Sequence, residues 1–331
     1  MALDSNVELP WLAPQIEQLR RARRAARLPS ALLIHDRRGA GGLWLAHYAA
    51  QLALCRGEQP PCGGCRDCRL LRASQHPDFL AVGPLEDSKV IRVEQIRELG
   101  EQLALTAHAG GATVALIAPA DALNANAANA LLKTLEEPRA GVILILVASV
   151  PSRLPATVLS RCQRLQINAP SRAASIRWLE RHKGPGPWNI VLEAIGDAPL
   201  EASELDPAEV ARLAQDTYRT LRELAGAREE ISAVAEGWAR GENFELRLAC
   251  IETWLTACID RAAGAPLQSP ELRTGAHLPE SSSDMNIAAL LRLLQGAYEL
   301  RSLRLTSINR SVALEQLLWQ LPRALRAAAA S

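Results

Sequence analysis

Short apolar runs rich in Val, Ile and Leu, interleaved with helical segments, occupy the first half of this chain of 331 residues. Such interleaving predicts a mainly parallel sheet with helices on both faces, because the connections between parallel strands cover the sheet. We therefore expect an α/β domain. The predicted strands are ALLIH (31–35), FLAV (79–82), TVALIA (113–118), VILILVAS (142–149) and RLQI (164–167).

The pattern changes near Ala169 and Pro170. The segment that follows, residues 171–205, predicts short helices interrupted by KGPGP (183–187). Long helical stretches begin at about Asp206, and one polar loop over 264–284 separates them. The predicted domains are an α/β domain over 1–168, a small helical domain over 169–207 and a helical bundle over 208–331.

Charge and hydropathy exclude some classes of protein. The formal net charge is +1 and no long charge run occurs, so the whole chain has no strong attraction to nucleic acid, although charge can still be sorted onto one face. The N-terminal sequence has neither a basic region nor a sustained apolar region, and no stretch approaches 18 uninterrupted apolar residues. We expect a soluble, cytoplasmic protein.

Four cysteines with the spacing CxxxxxxCxxCxxC form the most specific local pattern, and they are Cys55, Cys62, Cys65 and Cys68. In a chain whose thiols stay reduced, this spacing favours a structural Zn²⁺ site with four thiolate ligands, and Gly63 and Gly64 relieve backbone strain in the turn. Such a closed site has no open position to activate water. A redox pair, fortuitous cysteines and an iron–sulfur cluster remain alternatives.

The remaining cysteines and the tryptophans suggest packing. Cys250 and Cys258 lie far from the cluster in sequence and are predicted to be buried as small apolar residues. Core packing is also the predicted role of Trp178, Trp188 and Trp254, although they are candidates for interface anchors.

The segment IHDRRGAGGLWLA (34–46) has the outline of a phosphate-binding loop, with a strand before closely spaced glycines and a helix after them. The pattern GxxxxGK[ST] uses backbone N–H groups, a Lys and a hydroxyl to bind phosphate and magnesium. If Gly41 precedes the Lys position, that position is Gly42 and the hydroxyl position is Leu43. The first glycine of the pattern is then Asp36, an anion, and Gly39 lies between the two. The glycines and the flanking strand and helix are retained, but the lysine and hydroxyl that would bind phosphate and magnesium are missing.

Two further motifs are NALLKTLEEP (129–138) and SRC (160–162). By itself the first predicts a helix with Leu131, Leu132 and Leu135 on one face, stopped by Pro138. Together with the cysteine pattern and the loop outline, the two motifs resemble the AAA+ clamp-loader ATPase family over residues 20–170. The resemblance implies an α/β AAA+ (RecA-like) parallel-sheet domain, a small helical lid domain and an all-α C-terminal collar domain. The segment NRSVALEQLLWQL (309–321) is similar to the last collar helix.

The family's catalytic groups are missing from this sequence. The strand that should end in an Asp-Glu pair runs into Ala118, Pro119 and Ala120, and Asp121 falls too late to replace them. Of the two sensors, one position retains only Ser149, and the other, three residues after Gly196, is Pro199.

The size of one loss decides its consequence. One charge pair at about 4 Å is worth roughly 4 kcal/mol at an effective dielectric of 20, so losing the Lys alone weakens binding on the order of a thousandfold. We expect neither ATP nor Mg²⁺ to bind productively, and no intrinsic catalysis.

The resemblance implies a role for the retained SRC motif. An Arg can stabilise the γ-phosphate of a neighbour's nucleotide in trans, and Arg161 is the candidate for such an arginine finger. The implied assembly is the clamp loader of bacterial DNA polymerase III. It is a five-membered ring with ATPase subunits of the gamma or tau type and delta, which loads the β sliding clamp at primer-template DNA. In it this chain is a rigid stator.

Two other functions are alternatives. One is an active clamp-loader ATPase subunit with an atypical phosphate loop. The other is a zinc-ribbon nucleic-acid-binding module, which requires basic and aromatic residues around the cysteines. Between Cys55 and Cys68 there are only Arg56 and Arg66 and no aromatic residue, so the sequence disfavours this second alternative.

Overall fold

The computed structural model describes residues 8–36, 39–85, 88, 90–105, 111–225, 231–265, 278, 285–302 and 309–325. Most of the polar loop predicted over 264–284 lies outside these residues, as do Arg37 and Arg38 of the predicted phosphate loop. The chain divides into two compact units, Met1–Pro170 and Ser171–Ser331. The predicted division into three domains stays a prediction.

A five-stranded, all-parallel sheet forms the centre of the first unit, with the strand order β2-β3-β4-β1-β5. The central strands β3, β4 and β1 are almost entirely buried because helices cover both faces, whereas the edge strand β5 exposes its polar residues. The predicted α/β AAA+ fold with a parallel sheet is therefore confirmed, and strand ends differ from prediction by one residue. The strands are β1 (Ala31–His35), β2 (Phe79–Val82), β3 (Thr113–Ile117), β4 (Val142–Ala148) and β5 (Gln163–Gln166).

Six helices accompany this sheet within the described part of the first unit. Each is amphipathic or mainly apolar, and together they bury both faces of the sheet. The helices are α1 (Ala13–Arg24), α2 (Gly42–Leu54), α3 (Arg66–Arg72), α4 (Val93–Leu103), α5 (Ala125–Glu136) and α6 (Ala156–Leu159).

Helix α5 contains most of the NALLKTLEEP motif. It begins earlier than the motif, because the Asn124 side chain accepts a hydrogen bond from the Ala127 amide at 2.7 Å and caps the helix. Leu131 and Leu135 are buried in the core and Leu132 is half-buried, so the predicted apolar face is confirmed.

The parallel arrangement positions the candidate site. The carboxyl ends of β1, β3 and β4 lie at one edge of the sheet, where α/β proteins bind their ligands. Asp36, Ala118 and Ser149 directly follow these three strand ends. The segments singled out in the sequence therefore meet at this edge.

The second unit is helical throughout its described residues, as predicted. Trp254 and Tyr218 are among its fully buried side chains, and α8 packs against both α10 and α12. Its helices are α7 (Arg172–Lys183), α8 (Trp188–Ile195), α9 (Pro199–Ala202), α10 (Pro207–Leu224), α11 (Ile231–Arg240), α12 (Phe244–Ala262), α13 (Ile287–Ser302) and α14 (Arg310–Ala324).

Burial supports the predicted packing roles in this unit. Trp178 and Trp188 are buried like Trp254, and Cys250 and Cys258 are fully buried, so these residues belong to the core. Among the described helices, none has the length and apolar character needed to cross a membrane.

Candidate nucleotide site and metal centre

The degenerate phosphate loop joins β1 to α2. Gly39 and Gly41 both have positive φ, 74° and 104°, which explains glycine at each position. The Trp11 indole donates a hydrogen bond to the Ala40 carbonyl at 2.7 Å and holds the loop from the N-terminal segment. The backbone outline of a phosphate loop is therefore present in the described residues.

The Lys position of this loop has no room for a side chain. A Cβ placed on Gly42 would lie 2.3 Å from Asp36 Cβ and 2.6 Å from Asp36 Oδ2, far inside van der Waals contact. Asp36 itself is buried, and its carboxylate lies beside the first turn of α2, where the helix dipole attracts anions. The carboxyl group of Asp36 thus occupies the helix end that would otherwise face a phosphate.

The magnesium-binding positions are similarly changed. After β3 the chain continues through Ala118 and Pro119, and the next carboxylate, Asp121, points to the end of β4. The amides of Ser149 and Val150 donate to its two oxygens, both at 3.3 Å. Asp121 therefore links the segment after β3 to the end of β4, which is a structural role. Ser149 contributes its backbone amide to this link.

Arg161 follows α6 and is exposed, and it contacts the end of α5. Its Nη2 lies 2.8 Å from Glu136 Oε1, and its Nη1 donates to the Thr157 carbonyl at 3.0 Å. Glu136 belongs to the NALLKTLEEP motif, so the two family motifs meet in one exposed ion pair. The neighbouring Cys162 is buried, and burial raises the pKa of its thiol to about 11.

The second sensor position lies in the second unit. Gly196 ends α8 with φ 85°, and Pro199 is the first residue of α9. Proline has no cationic group, so this position offers nothing to a phosphate.

The four predicted metal ligands come together. The Sγ atoms of Cys55, Cys62, Cys65 and Cys68 all lie within 4.8 Å of one another, and Cys55 and Cys65 are 3.9 Å apart. Tetrahedral Zn–S bonds of about 2.3 Å require sulfur atoms about 3.8 Å apart, so the cluster can hold such an ion. Cys55 follows α2 directly and Cys65 caps α3, so the knuckle, residues 55–68, joins these two helices.

Backbone amides prepare the sulfur atoms for metal binding. Cys55 Sγ accepts from the amides of Gly57 and Cys62, at 3.4 and 3.3 Å. Cys62 Sγ accepts from the Cys65 amide and Cys65 Sγ from the Cys68 amide, at 3.3 and 3.4 Å. Such N–H donors stabilise thiolates, the form that binds metal.

These amides leave the four thiols unequal. Amide donors, that of Cys65 first, lower the pKa of Cys62. Burial raises the pKa of Cys65, but the amides of Cys68 and Arg56 outweigh burial and bring it to about 6. Burial raises the pKa of Cys55 and Cys68. A bound cation would favour the thiolate form of all four.

The glycines of the knuckle differ from expectation in one respect. Gly63 has φ 67°, as a strained turn requires, but Gly64 does not adopt a left-handed conformation, so its predicted role is wrong. The sequence analysis missed Gly57, where a Cβ would lie 2.7 Å from Cys62 Sγ. Only the folded knuckle reveals that close approach.

A buried polar group beside the knuckle was also missed. Asp67 lies 3.4 Å from Arg56 Nε and 3.5 Å from His76 Nε2, and the Asp78 amide donates to His76 Nδ1. His76 therefore carries its proton on Nε2, facing Asp67. This group orients the start of α3 from behind the cysteines.

Comparison with known proteins adds an independent line of evidence. A protein-family model described as DNA polymerase III, delta subunit, matches residues 12–171. The DNA polymerase III subunit delta prime of Pseudomonas aeruginosa is 39% identical over 214 residues, which are 63% of this chain and 65% of that protein. The corresponding subunit of Escherichia coli is 38% identical over 174 residues, or 52% of each chain.

A different subunit type is less similar. The DNA polymerase III subunit tau of Salmonella typhimurium is 33% identical over 145 residues, which are 43% of this chain and 22% of that protein. The chain spans less than two thirds of the length of the two delta prime subunits above. The sheet, the cysteine cluster and the two motifs all fall within the region that the family model matches. Pro199, the second sensor position, lies outside that region. The chain belongs to the family of DNA polymerase III delta prime subunits.

Proposed function

We propose that this chain is a non-hydrolysing subunit of a DNA polymerase III clamp loader and that it completes the ATP site of a neighbouring subunit through Arg161. The observation that carries this proposal is the contrast between two sites. The chain's own phosphate loop contains a buried carboxylate and no room for a lysine, whereas Arg161 stays exposed.

The chain's own loop is unsuited to nucleotide. A triphosphate placed at the start of α2 would meet Asp36 instead of a lysine. The attraction of a lysine is lost there, and one unit charge pair is worth roughly 4 kcal/mol at about 4 Å. Ala118 and Pro119 stand at the acid positions and provide no carboxylate for Mg²⁺, so we expect neither ATP nor Mg²⁺ to bind productively.

Releasing Arg161 from its contact with Glu136 requires little free energy. Its ion pair with Glu136 is exposed on both sides, and such pairs contribute at most about 1 kcal/mol. A trans arginine finger accelerates phosphoryl transfer by about 10³–10⁵, which corresponds to roughly 4–7 kcal/mol. The guanidinium therefore gains more at a neighbour's γ-phosphate than it loses by leaving Glu136.

The remaining parts of the proposal concern assembly. Residues 208–331 form the collar that joins the ring, and residues 169–207 form the lid. The partners are ATPase subunits of the gamma or tau type and delta, and the ring loads the β sliding clamp onto primer-template DNA. Zn²⁺ bound by the four cysteines cross-links α2 and α3 and takes no part in the chemistry. The full ligand set and the absence of an open position support a structural role.

The decisive experiment reconstitutes the ring with purified ATPase and delta subunits. Arg161→Ala should leave assembly intact and lower DNA-stimulated ATP hydrolysis, and Arg161→Lys should restore only a minor part, because an ammonium cannot bind bidentately. Arg164→Ala is the matched control, since Arg164 is another exposed arginine, three residues further along the chain. Glu136→Gln releases Arg161 without removing it and should leave hydrolysis at or above the wild-type rate. Unchanged hydrolysis in Arg161→Ala contradicts the proposed role.

The second candidate is an active ATPase subunit, a reading favoured by the similarity to the tau subunit. Equilibrium dialysis of the isolated chain with Mg-ATP separates the two. Micromolar binding would favour the active subunit, and the absence of binding at millimolar nucleotide would favour the non-hydrolysing one.

A further inference from the structure

A cavity of about 490 Å³ lies between α1, α2 and the knuckle, on elements that the proposed function does not use. Its size is that of a small-ligand site. Trp44 and Tyr48 line it from α2, Arg20 from α1, and Pro61 and Arg72 from the knuckle and α3. We propose that this cavity binds single-stranded DNA, with one base stacked on Trp44 and the neighbouring phosphates held by the surrounding arginines.

The aromatic part of the cavity is preorganised. Trp44 and Tyr48 are one helical turn apart, and their rings are stacked with centroids 5.5 Å apart and planes at 9°. Tyr48 is buried and its hydroxyl accepts a hydrogen bond from Arg20 Nε at 2.6 Å. Trp44 is only half-buried, so it is the accessible ring of a fixed stack. An unpaired base would extend this stack, and any base has the flat face that stacking needs.

Four arginines lie at or beside the same cavity. Arg20 and Arg72 line it, and Arg21 and Arg24 contact Glu17, another lining residue. All four arginines are exposed. Against the lining carboxylates Glu8 and Glu17, they leave a formal net charge of +2. Such a distribution suits a polyanion, because each arginine offers several donors in a fork that matches phosphate.

The acidic residues at the cavity are few. Glu17 lies 2.9 Å from both Arg21 and Arg24, which offset its charge. Glu8 is the other carboxylate that lines the cavity, and phosphates are expected to avoid it. Arg72 donates one hydrogen bond to the Gly63 carbonyl, which fixes its position at the wall and leaves other N–H groups for a ligand.

Residues outside the knuckle provide the aromatic and basic groups that its own sequence lacks. No aromatic residue lies between Cys55 and Cys68, and this disfavoured nucleic-acid binding in the sequence analysis. The packing of α1 and α3 against α2 brings Trp44 and Arg20 to the knuckle from outside that segment. Duplex DNA does not fit this proposal, because its bases are already stacked within the helix.

The first test measures binding of a fluorescein-labelled 12-nucleotide single strand to the full chain by anisotropy. Trp44→Leu should weaken binding about tenfold, and Trp44→Phe should remain within about threefold, because a base stacks on either ring. Trp319→Leu is the control, since Trp319 is an exposed tryptophan on α14. Far-UV circular dichroism and zinc content verify that each variant is folded.

The second test measures the salt dependence of the same binding. Arg72→Gln should reduce the slope of log K against log salt by about 0.7, the value for one phosphate of a single strand. Arg97→Gln removes an equal charge from the exposed face of α4 and should leave the slope unchanged.

Three results would overturn the proposal. They are wild-type affinity in Trp44→Leu, equal slopes for the two arginine variants, and duplex binding as tight as single-strand binding. Loss of ring assembly in Trp44→Leu with oligonucleotide binding intact would also overturn it, and would assign the cavity to a protein partner. None of these measurements depends on ATP hydrolysis, so their failure is distinct from failure of the proposed function.

Discussion

Gly42→Ala is expected to destabilise the first unit, although alanine normally favours helices. Gly42 is the first residue of α2, where glycine to alanine typically gains about 1 kcal/mol. The added Cβ would lie 2.3 Å from Asp36 Cβ, so Asp36 and the loop must move. Overpacking of this kind costs about 1–3 kcal/mol. A contact of 2.3 Å is severe, so we take a cost of about 2–3 kcal/mol, which leaves a net loss of about 1–2 kcal/mol after the gain in helix propensity.

A double-mutant cycle isolates the cause. Asp36→Gly removes the atoms that a new Cβ would meet, so Gly42→Ala in that background should be neutral or stabilising. The two changes should therefore couple by about 2 kcal/mol. Gly100→Ala is the matched control, because Gly100 lies in α4 of the same unit with nothing within 4 Å of its added Cβ, and it should raise stability by about 1 kcal/mol.

Thermal melting of the full chain followed by circular dichroism measures these effects. For a unit of this size, 1 kcal/mol corresponds to about 2–4 °C, so Gly42→Ala should melt about 2–8 °C lower than the wild type. The reasoning is refuted if Gly42→Ala melts at or above the wild-type temperature, or if the two changes are additive within about 0.5 kcal/mol. Either result would mean that the lysine position has room after all.

Two further predictions concern the cysteine knuckle. Gly57→Ala should weaken zinc binding at least tenfold in a chelator competition, because its Cβ would lie 2.7 Å from Cys62 Sγ. Gly64→Ala is the control and should not weaken binding, since the nearest neighbour of its Cβ is the Cys62 carbonyl oxygen at 3.9 Å. Equal losses of zinc affinity in the two variants would contradict this prediction. In the metal-free chain, one thiol should ionise near pH 6 by absorbance at 240 nm, and Cys65→Ser should abolish that step. Because the pKa of Cys65 in the metal-free chain is lowered from 9.0, the contribution of its thiolate to stability is complete above about pH 9 and is lost as the pH falls through about 6. Bound zinc favours the thiolates further, so zinc release should require a lower pH and should be accompanied by proton uptake. Zinc release without proton uptake would contradict the assignment.

Local patterns accounted for much of the fold. All five predicted strands form, because runs such as TVALI and VILILVA are apolar on both faces and suit only a covered parallel sheet. The clustering of the four cysteines was predictable because they lie within 14 residues, where spacing limits geometry. The absence of the lysine and of the acidic pair could be recognised in the sequence, since each of these residues has a fixed position relative to the end of a strand.

Side-chain contacts could not be predicted in this way. The sequence shows Asp36 and Gly42 as separate departures from a pattern, but their packing makes them one unit that excludes a lysine. Similarly, NALLKTLEEP and SRC are independent motifs until Glu136 and Arg161 pair across the end of α5. The first contact depends on the conformation of the loop between β1 and α2, and the second on how the strands that follow the two motifs are placed in the sheet, and no local pattern specifies either.

The sequence by itself determined the class of fold, the four cysteines that could hold a metal ion and the loss of the groups that bind and activate ATP, because each is a matter of residue type at short spacing. The tertiary structure alone decided which side chain fills the phosphate loop, how Arg161 is held, and where the charge of an almost neutral chain accumulates. Packing of α1 and α3 against α2 brings Arg20, Arg72, Trp44 and Tyr48 from separate segments to one cavity. Net charge and composition average over the chain and cannot report such a surface.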